Sequence, residues 1–449
     1  IMQINEILLQ YGQKHILEHM TGLKDSDIDI LASQISNIDW EEMSNLINKY
    51  VKGKEHFQAP SNISPPKYFT YQPENDKGKK YYQKAIEEGK LLISQGKVAI
   101  LTVAGGQGSR LGFEGPKGKY PITPIKNKTL FQYNAEKIRK LNQKYSVELQ
   151  WFIMTSPSND AETQAYFKEN KYFNLSPKSV HFFTQGTMPA IGFDGKLLLG
   201  APNSLALSPN GHGGTLLALK KSGILNLMKE NGVEHISYFQ IDNPLVSIAC
   251  PLFIGLHKLE NSEMSSRALI KTGPFEKLGN FCIVDGKLKI IEYSDMPNDL
   301  AEKKDEQGRL LFRAGSPAIH VFKVDFIQRL TKTGHLELPW HKAVKKVPFI
   351  DSEGELVKPS EPNAIKLETF IFDALPYAEN PLILEAVREE EFSPVKNQDG
   401  VDSAVSCRRM MIEKDAKKLE LAGISVPKKP DGSIDCVIEF SPLAILDND

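Results

Sequence analysis

Several things are scarce in this chain of 449 residues, and each scarcity removes a class of protein. There are only 4 cysteines, Cys250, Cys282, Cys407 and Cys436, and no C-x-x-C pair. That argues against a disulfide framework or a zinc cluster and points to buried thiols in a reducing compartment, the cytoplasm. No apolar run approaches the ~20 residues that span a bilayer. The start carries Glu6 among polar residues, unlike a secretory leader. No membrane partner is expected. Excess charge is missing too: 55 Lys and Arg face 56 Asp and Glu, a net charge of −1. A protein that grips nucleic acid through bulk charge is therefore not expected. Internal repeats and low-complexity tracts are absent.

What is present is ordinary globular material, 41% hydrophobic and 25% charged. Ile4, Ile7, Leu8, Tyr11, His15 and Ile16 recur at helical spacing. Ser26 and the Asp39-Trp40-Glu41-Glu42 run open further helices within the first ~60 residues. Prolines from Ala59 to Lys67 predict a linker, and a helix follows over Lys79–Gln95. Strands and helices then alternate. Val98–Val103, Leu149–Thr155, His181–Phe183 and Ile236–Ile241 read as strands. Leu130–Leu141, Asn159–Glu169 and Thr215–Lys229 read as helices. Further on, Phe281–Tyr293, Ala318–Phe322 and Leu382–Val387 are expected strands, with a last one near Val437. Ala364–Leu375 and Asp402–Leu421 are expected helices. The order implies an α/β protein with helices on a mixed, mostly parallel sheet. Such sheets bind ligands beyond the carboxyl ends of their strands.

The first strand of that alternation runs into Gly105-Gly106-Gln107-Gly108-Ser109-Arg110-Leu111-Gly112. So many glycines bar a helix or strand interior and let a backbone approach a ligand, with N–H groups turned toward phosphate oxygens. A dinucleotide fingerprint fails here. Leu111 stands where the third glycine belongs, and no acid occurs from Gly115 to Ala135. A Walker loop fails at Gly118-Lys119, with Phe113 and Tyr120 at its required positions. What remains is a glycine loop with Arg110 and, seven residues on, Lys117. Two cations beside such a loop suit a polyphosphate.

Other stretches carry chemistry. Gln185, in Gln185-Gly186-Thr187-Met188-Pro189, offers an amide that matches the imide edge of uracil. Gly211, His212 and Gly213 open a helix and permit close backbone approach to a nucleoside. Asp242 ends a strand, where a carboxylate is well placed to share a divalent cation with phosphates. Lys366, Phe370 and Asp373 share one face of the expected helix. In Phe392-Ser393-Pro394-Val395-Lys396, a turn precedes a lysine.

These motifs together resemble the UDP-sugar pyrophosphorylase family, and within it the branch that acts on N-acetylglucosamine 1-phosphate. The likeness runs from about Gly12 to Pro442. It implies a helical N-terminal region (1–96), a Rossmann-like nucleotidyltransferase core (97–378) and a small α+β C-terminal domain (379–449). It also implies a reaction: UTP and a sugar 1-phosphate give a UDP-sugar and pyrophosphate, with Mg²⁺. By resemblance Arg110, Lys117 and Lys396 are catalytic. Gly105, Gly106, Gly108, Gln185, Gly211, His212 and Gly213 bind nucleotide. Asp242 binds Mg²⁺ and substrate, while Gly279, Glu292, Ser316, Lys366, Phe370 and Phe372 bind substrate. His212 and Ser316 stand where the family usually has asparagine. Ser316 keeps glucose 1-phosphate, or several sugars, as the alternative substrate. A silent sugar-nucleotide binder is the remote alternative. The expected assembly is a monomer or weak homodimer.

Overall fold

A computed structural model describes residues 2–53, 62–334, 336 and 338–446. The start of the expected linker, residues 59–61, lies outside the described residues. The described chain falls into two compact units. One takes its residues from 1–58, 186–214 and 338–371, the other from 59–185, 215–337 and 372–449.

In the first unit the amphipathic N-terminal stretch forms helices Met2–Gln10, Lys14–Met20, Asp25–Ser36 and Trp40–Leu46. Asp39 caps the last of these by accepting the Glu42 N–H at 3.0 Å. Leu8, Ile16, Leu31 and Ile35 are wholly buried. They share a core with Ile191, Leu197, Leu199, Leu205, Ile365 and Leu367. Gln13 ties the helices to the second segment of the chain. Its Oε1 accepts the Leu197 N–H at 2.9 Å, and its Nε2 donates to Gly195 O at 3.2 Å. A small antiparallel sheet orders Trp340–Lys345, Ala364–Thr369 and Ile191–Gly192.

The second unit is built on an 11-stranded mixed sheet. Four adjacent strands are parallel: His235–Gln240, Val98–Val103, Trp151–Thr155 and Val180–Thr184. Both faces of this part are covered, so Trp151, Phe152, Ile153 and Met154 are all buried. Beyond His235–Gln240 the pairing is mainly antiparallel, through His320–Lys323, Met264–Ile270, Ala314–Ser316 and Gly279–Val284. Leu382–Ala386 adds parallel to Met264–Ile270. The helix Leu130–Tyr145 starts at Thr129, whose Oγ1 accepts the Gln132 N–H at 3.2 Å.

Four local expectations are corrected. Ala364–Leu375 is not a helix: Ala364–Thr369 is a strand, followed by a short 3-10 turn from Ile371 to Tyr377. Lys366 and Glu368 alternate with buried Ile365, Leu367 and Thr369, a period of two that the helical reading missed. The segment from Phe281 to Tyr293 is a hairpin, Gly279–Val284 paired with Lys287–Ile291, because Asp285 and Gly286 turn at φ 49° and 76°. Thr215–Lys229 breaks into Gly214–Lys221 and Ile224–Glu230 at Gly223, with φ 78°. No strand forms around Val437. Polar backbone there pairs with side chains instead: Phe440 N–H donates to Asp415 Oδ2 at 2.7 Å.

Candidate active site

Because four strands are parallel, their carboxyl ends lie along one edge of the second unit's sheet. Val98–Val103 delivers the glycine loop there, Trp151–Thr155 delivers Ser156 and Asn159, Val180–Thr184 delivers Gln185, and His235–Gln240 delivers Asp242. This is the edge where open α/β sheets bind ligands.

The loop is a closed turn rather than a floppy one. Gly108 N–H donates to Gly115 O at 3.0 Å and Lys117 N–H to Gly106 O at 3.0 Å. Asn159, 1% exposed, braces it from below. Its Nδ2 donates to Ala104 O at 3.0 Å, and its Oδ1 accepts the Ser156 N–H at 2.8 Å. Sequence reasoning took Asn159 only as the start of a helix; its position before an acidic first turn was the available signal. Gly105 lies against Gln185, where an added Cβ would come 3.2 Å from Oε1. Gln185 is buried, and its N–H donates to Thr155 O at 2.8 Å. At Gly106 the nearest atom to an added Cβ is Lys117 Cε, 4.0 Å away, so the loop backbone is open there.

Charge gathers on this loop. Lys117 is 9% exposed, and its Nζ lies 3.8 Å from Asp242 Oδ2. Burial lowers the Lys117 pKa; Asp242 opposes that shift, while Arg110 and Lys396 add to it. Lys117 thus lies in the fields of both Arg110, from the same loop, and Lys396, from a remote stretch of chain. Arg110 is exposed on the turn Ser109–Leu111. Lys396 is held next to Asp242 through the backbone: Val395 N–H donates to Asp242 O at 2.8 Å. Among the described residues no three His, Cys, Asp or Glu side chains gather as a metal cage. A buried carboxylate flanked by cations fits a divalent ion that takes its other ligands from phosphate oxygens and water.

A second group forms in the antiparallel part of the same unit. Gly279 pairs directly with Ser316. A Cβ on Gly279 would sit 3.2 Å from Glu292 Oε1. Ser316 Oγ accepts the Ala318 N–H at 3.3 Å. So Gly279, Glu292 and Ser316, far apart in sequence, meet. Lys271, 6% exposed, joins them unforeseen: it packs at Gly315, its Nζ reaches Asn280 Oδ1, and burial lowers its pKa.

The first unit holds the remaining candidates except Phe372. Gly211 and Gly213 fit against the strand Ala364–Thr369 and its exit. An added Cβ would fall 2.2 Å from Thr369 O at Gly211 and 2.8 Å from the Phe370 backbone at Gly213. His212 Nδ1 accepts the Ile371 N–H at 3.1 Å, which requires that nitrogen to be unprotonated. Phe370 stacks on both His212 (5.4 Å) and His341 (4.3 Å). Burial and then His341 push the His212 pKa down to about 4, so this ring is neutral at physiological pH. Lys366 is half-buried on the strand opposite Ala343. Phe372 is buried in the second unit.

Comparison with known proteins agrees on one lineage. The profile of the UTP–glucose-1-phosphate uridylyltransferase family matches residues 36–428. The chain is 38% identical over 377 residues to the UDP-N-acetylhexosamine pyrophosphorylase-like protein 1 of Mus musculus, covering 80% of this chain and 74% of that one. It is 35% identical over 442 residues to the UDP-N-acetylglucosamine pyrophosphorylase of Saccharomyces cerevisiae, covering 94% and 91%. The crystal structure of the Trypanosoma brucei uridine diphosphate N-acetylglucosamine pyrophosphorylase in complex with inhibitor superposes with a TM-score of 0.84 at 26% identity, covering 99% and 92%.

Proposed function

We propose, starting from the fact that this chain belongs to the UTP–glucose-1-phosphate uridylyltransferase family, that it joins UTP to N-acetylglucosamine 1-phosphate, releasing UDP-N-acetylglucosamine and pyrophosphate. The enzyme class follows from the family, and the sugar from relatives named for N-acetylglucosamine that align over most of the chain. The observation that carries the reading is the meeting of Lys117 and Asp242 at 3.8 Å on a braced glycine loop, with Arg110 and Lys396 in the same field. A silent binder has no need of cations grouped around a transfer point.

The chemistry needs little from the protein beyond alignment and charge. The sugar 1-phosphate is an anionic nucleophile, so no general base is called for. One of its oxygens attacks the α-phosphorus of UTP in line; that P–O bond forms as the α–β bridge bond breaks, and pyrophosphate leaves. Arg110 and Lys117 hold the leaving pyrophosphate. Lys396 offsets charge at the point of transfer, and Lys366 is assigned the sugar phosphate. Gln185 reads uracil from beside Gly105. Glu292 and Ser316 face the sugar hydroxyls. Asp242 would hold Mg²⁺, which when bound would withdraw charge from the triphosphate oxygens. The free cysteines suit a cytoplasmic location.

Pyrophosphate release from UTP with a panel of sugar 1-phosphates tests the reading. N-Acetylglucosamine 1-phosphate should turn over fastest. If glucose 1-phosphate turns over and the acetylated sugar is ignored, the short Ser316 side chain favours the glucose reading, which then replaces this one.

A further inference from the structure

Lys396 begins a surface excursion, Asn397-Gln398-Asp399-Gly400-Val401, that returns at Asp402. The return is unusual. Asp402 has φ 57°, in the left-handed region that costs most residues energy but that Asp and Asn tolerate. This conformation aims one carbonyl at both residues that start the excursion: Lys396 N–H donates to Asp402 O at 2.7 Å, and Asn397 N–H donates to the same oxygen at 3.0 Å. Asn397 Nδ2 adds a bond to Val401 O at 2.9 Å. Directly after Asp402, Ser403 caps the helix Ala404–Leu421 in a reciprocal box with Ser406, which anchors the return to a long rigid element. On the other side, Val395 is pinned to Asp242 O. The Lys396 backbone is therefore clamped from both directions, and Gln398 of the excursion reaches Gly112 in the glycine loop.

Burial raises the Asp402 pKa; Lys396 and Arg388 oppose that rise, while Asp242 and Glu276 add to it. Lys117, 3.8 Å from Asp242, also lies in the repulsive fields of Arg110 and Lys396. Like charges at this range repel when no triphosphate is present. A second carboxylate, on the residue that already clamps Lys396, offsets that repulsion.

We infer that Asp402 is a positioning residue for Lys396: its left-handed backbone closes the loop that carries the lysine, and the charge of its carboxylate biases the ammonium from across that closed loop without a direct ion pair. This rests on the transfer role proposed for Lys396. Asp402 itself touches no reacting atom.

A double-mutant cycle tests it. Asp402→Asn keeps a left-handed-tolerant residue and removes the charge; Lys396→Met removes the ammonium. Asp402→Asn should lower kcat about tenfold with KM for UTP within about threefold, yet change kcat less than about twofold in the Lys396→Met background, the signature of one residue acting through another. Equal losses in both backgrounds, or no loss in the first, overturn the inference, as does wild-type turnover by Lys396→Met. Asp402→Gly, which also accepts positive φ, guards against misfolding: it should match Asp402→Asn in kcat and the wild type in melting, and full activity in a variant lacking any carboxylate overturns the charge role. If the wild-type enzyme releases no pyrophosphate with any sugar phosphate, the proposed function fails on its own. Acetylation of Lys396 by a water-soluble acetylating ester, read by peptide mass spectrometry, then decides. Labelling should rise about threefold or more in Asp402→Asn as the clamp loosens, with Lys119 labelling unchanged; an unchanged Lys396 rate overturns the inference.

Discussion

Two glycine-rich turns in this molecule look alike as strings and differ in what occupies the space beside them. At Gly211 and Gly213 the missing side chains are replaced by the protein's own backbone, at 2.2 and 2.8 Å from where a Cβ would lie. At Gly106 nothing stands closer than 4.0 Å. The first turn is closed and neutral, with His212 and His341 stacked on Phe370. The second is charged and open at Gly106, with Lys117 beside Asp242 and in the fields of Arg110 and Lys396. Glycine thus serves packing at Gly211, Gly213 and also Gly108, where a Cβ would meet Phe113 at 2.7 Å, and leaves room for a ligand at Gly106.

The sharpest way to break that contrast is Lys117→Ala. Losing a buried, preorganised cation should cut kcat about 100- to 1,000-fold with the fold intact; near-normal steady-state turnover would remove the charged turn from the mechanism. Next comes a matched pair of glycine substitutions. Gly211→Ala, at φ 86° and against the Thr369 carbonyl, should cost about 2–3 kcal/mol of stability in denaturant unfolding. Gly106→Ala should leave the midpoint unmoved while raising KM for UTP roughly tenfold, because the methyl fills space meant for phosphate. A midpoint loss in both variants would erase the distinction.

Acid should affect stability rather than turnover. His212 and His235 both have pKa values pushed down to about 4 by burial. The unfolded chain, with histidine near 6.5, binds more protons than the folded one below that pH. Stability is therefore full above about 6.5 and falls as pH drops toward 4, by up to about 1.4 kcal/mol per unit for each group. His212→Asn, whose amide oxygen can also accept the Ile371 N–H, should flatten part of this slope in acid melts. It should leave kcat between pH 6 and 9 within about twofold, since the ring is already neutral there. The smallest effect is expected at Lys119, in the same loop as Lys117 but paired with Glu162 at 2.6 Å near the surface. Lys119→Ala should cost at most about 1 kcal/mol and leave kcat within about threefold. A large loss of turnover there would mean that the loop's cations act as a crowd rather than individually.

Much of this was legible in the residues because the signals are local. The strand Val98–Val103 and its glycine exit, the cap at Asp39 and the charged helix after Ser403 each announce themselves within a few positions. Ala364–Thr369 did not: Lys366, Phe370 and Asp373 fit a helical period as well as Ile365, Leu367 and Thr369 fit an extended one, and only pairing with Trp340–Lys345 decides. Asn159, Lys271 and Asp402 were missed for a related reason. Each acts through bonds whose partners meet it only once the chain folds, and apart from the acidic turn after Asn159 nothing in the local pattern marks it.

By itself the sequence determined the buried parallel strands, where chain could come close to phosphate, and which cations were available, since those properties depend on composition and on spacings of two to four residues. Tertiary structure alone decided that Lys117 meets Asp242, that Gly279, Glu292 and Ser316 converge, and that Gly211 and Gly213 are filled while Gly106 stays open. These are matters of strand order and register. They are settled when the whole sheet buries its apolar faces together, a cooperative choice that no single stretch of residues can make.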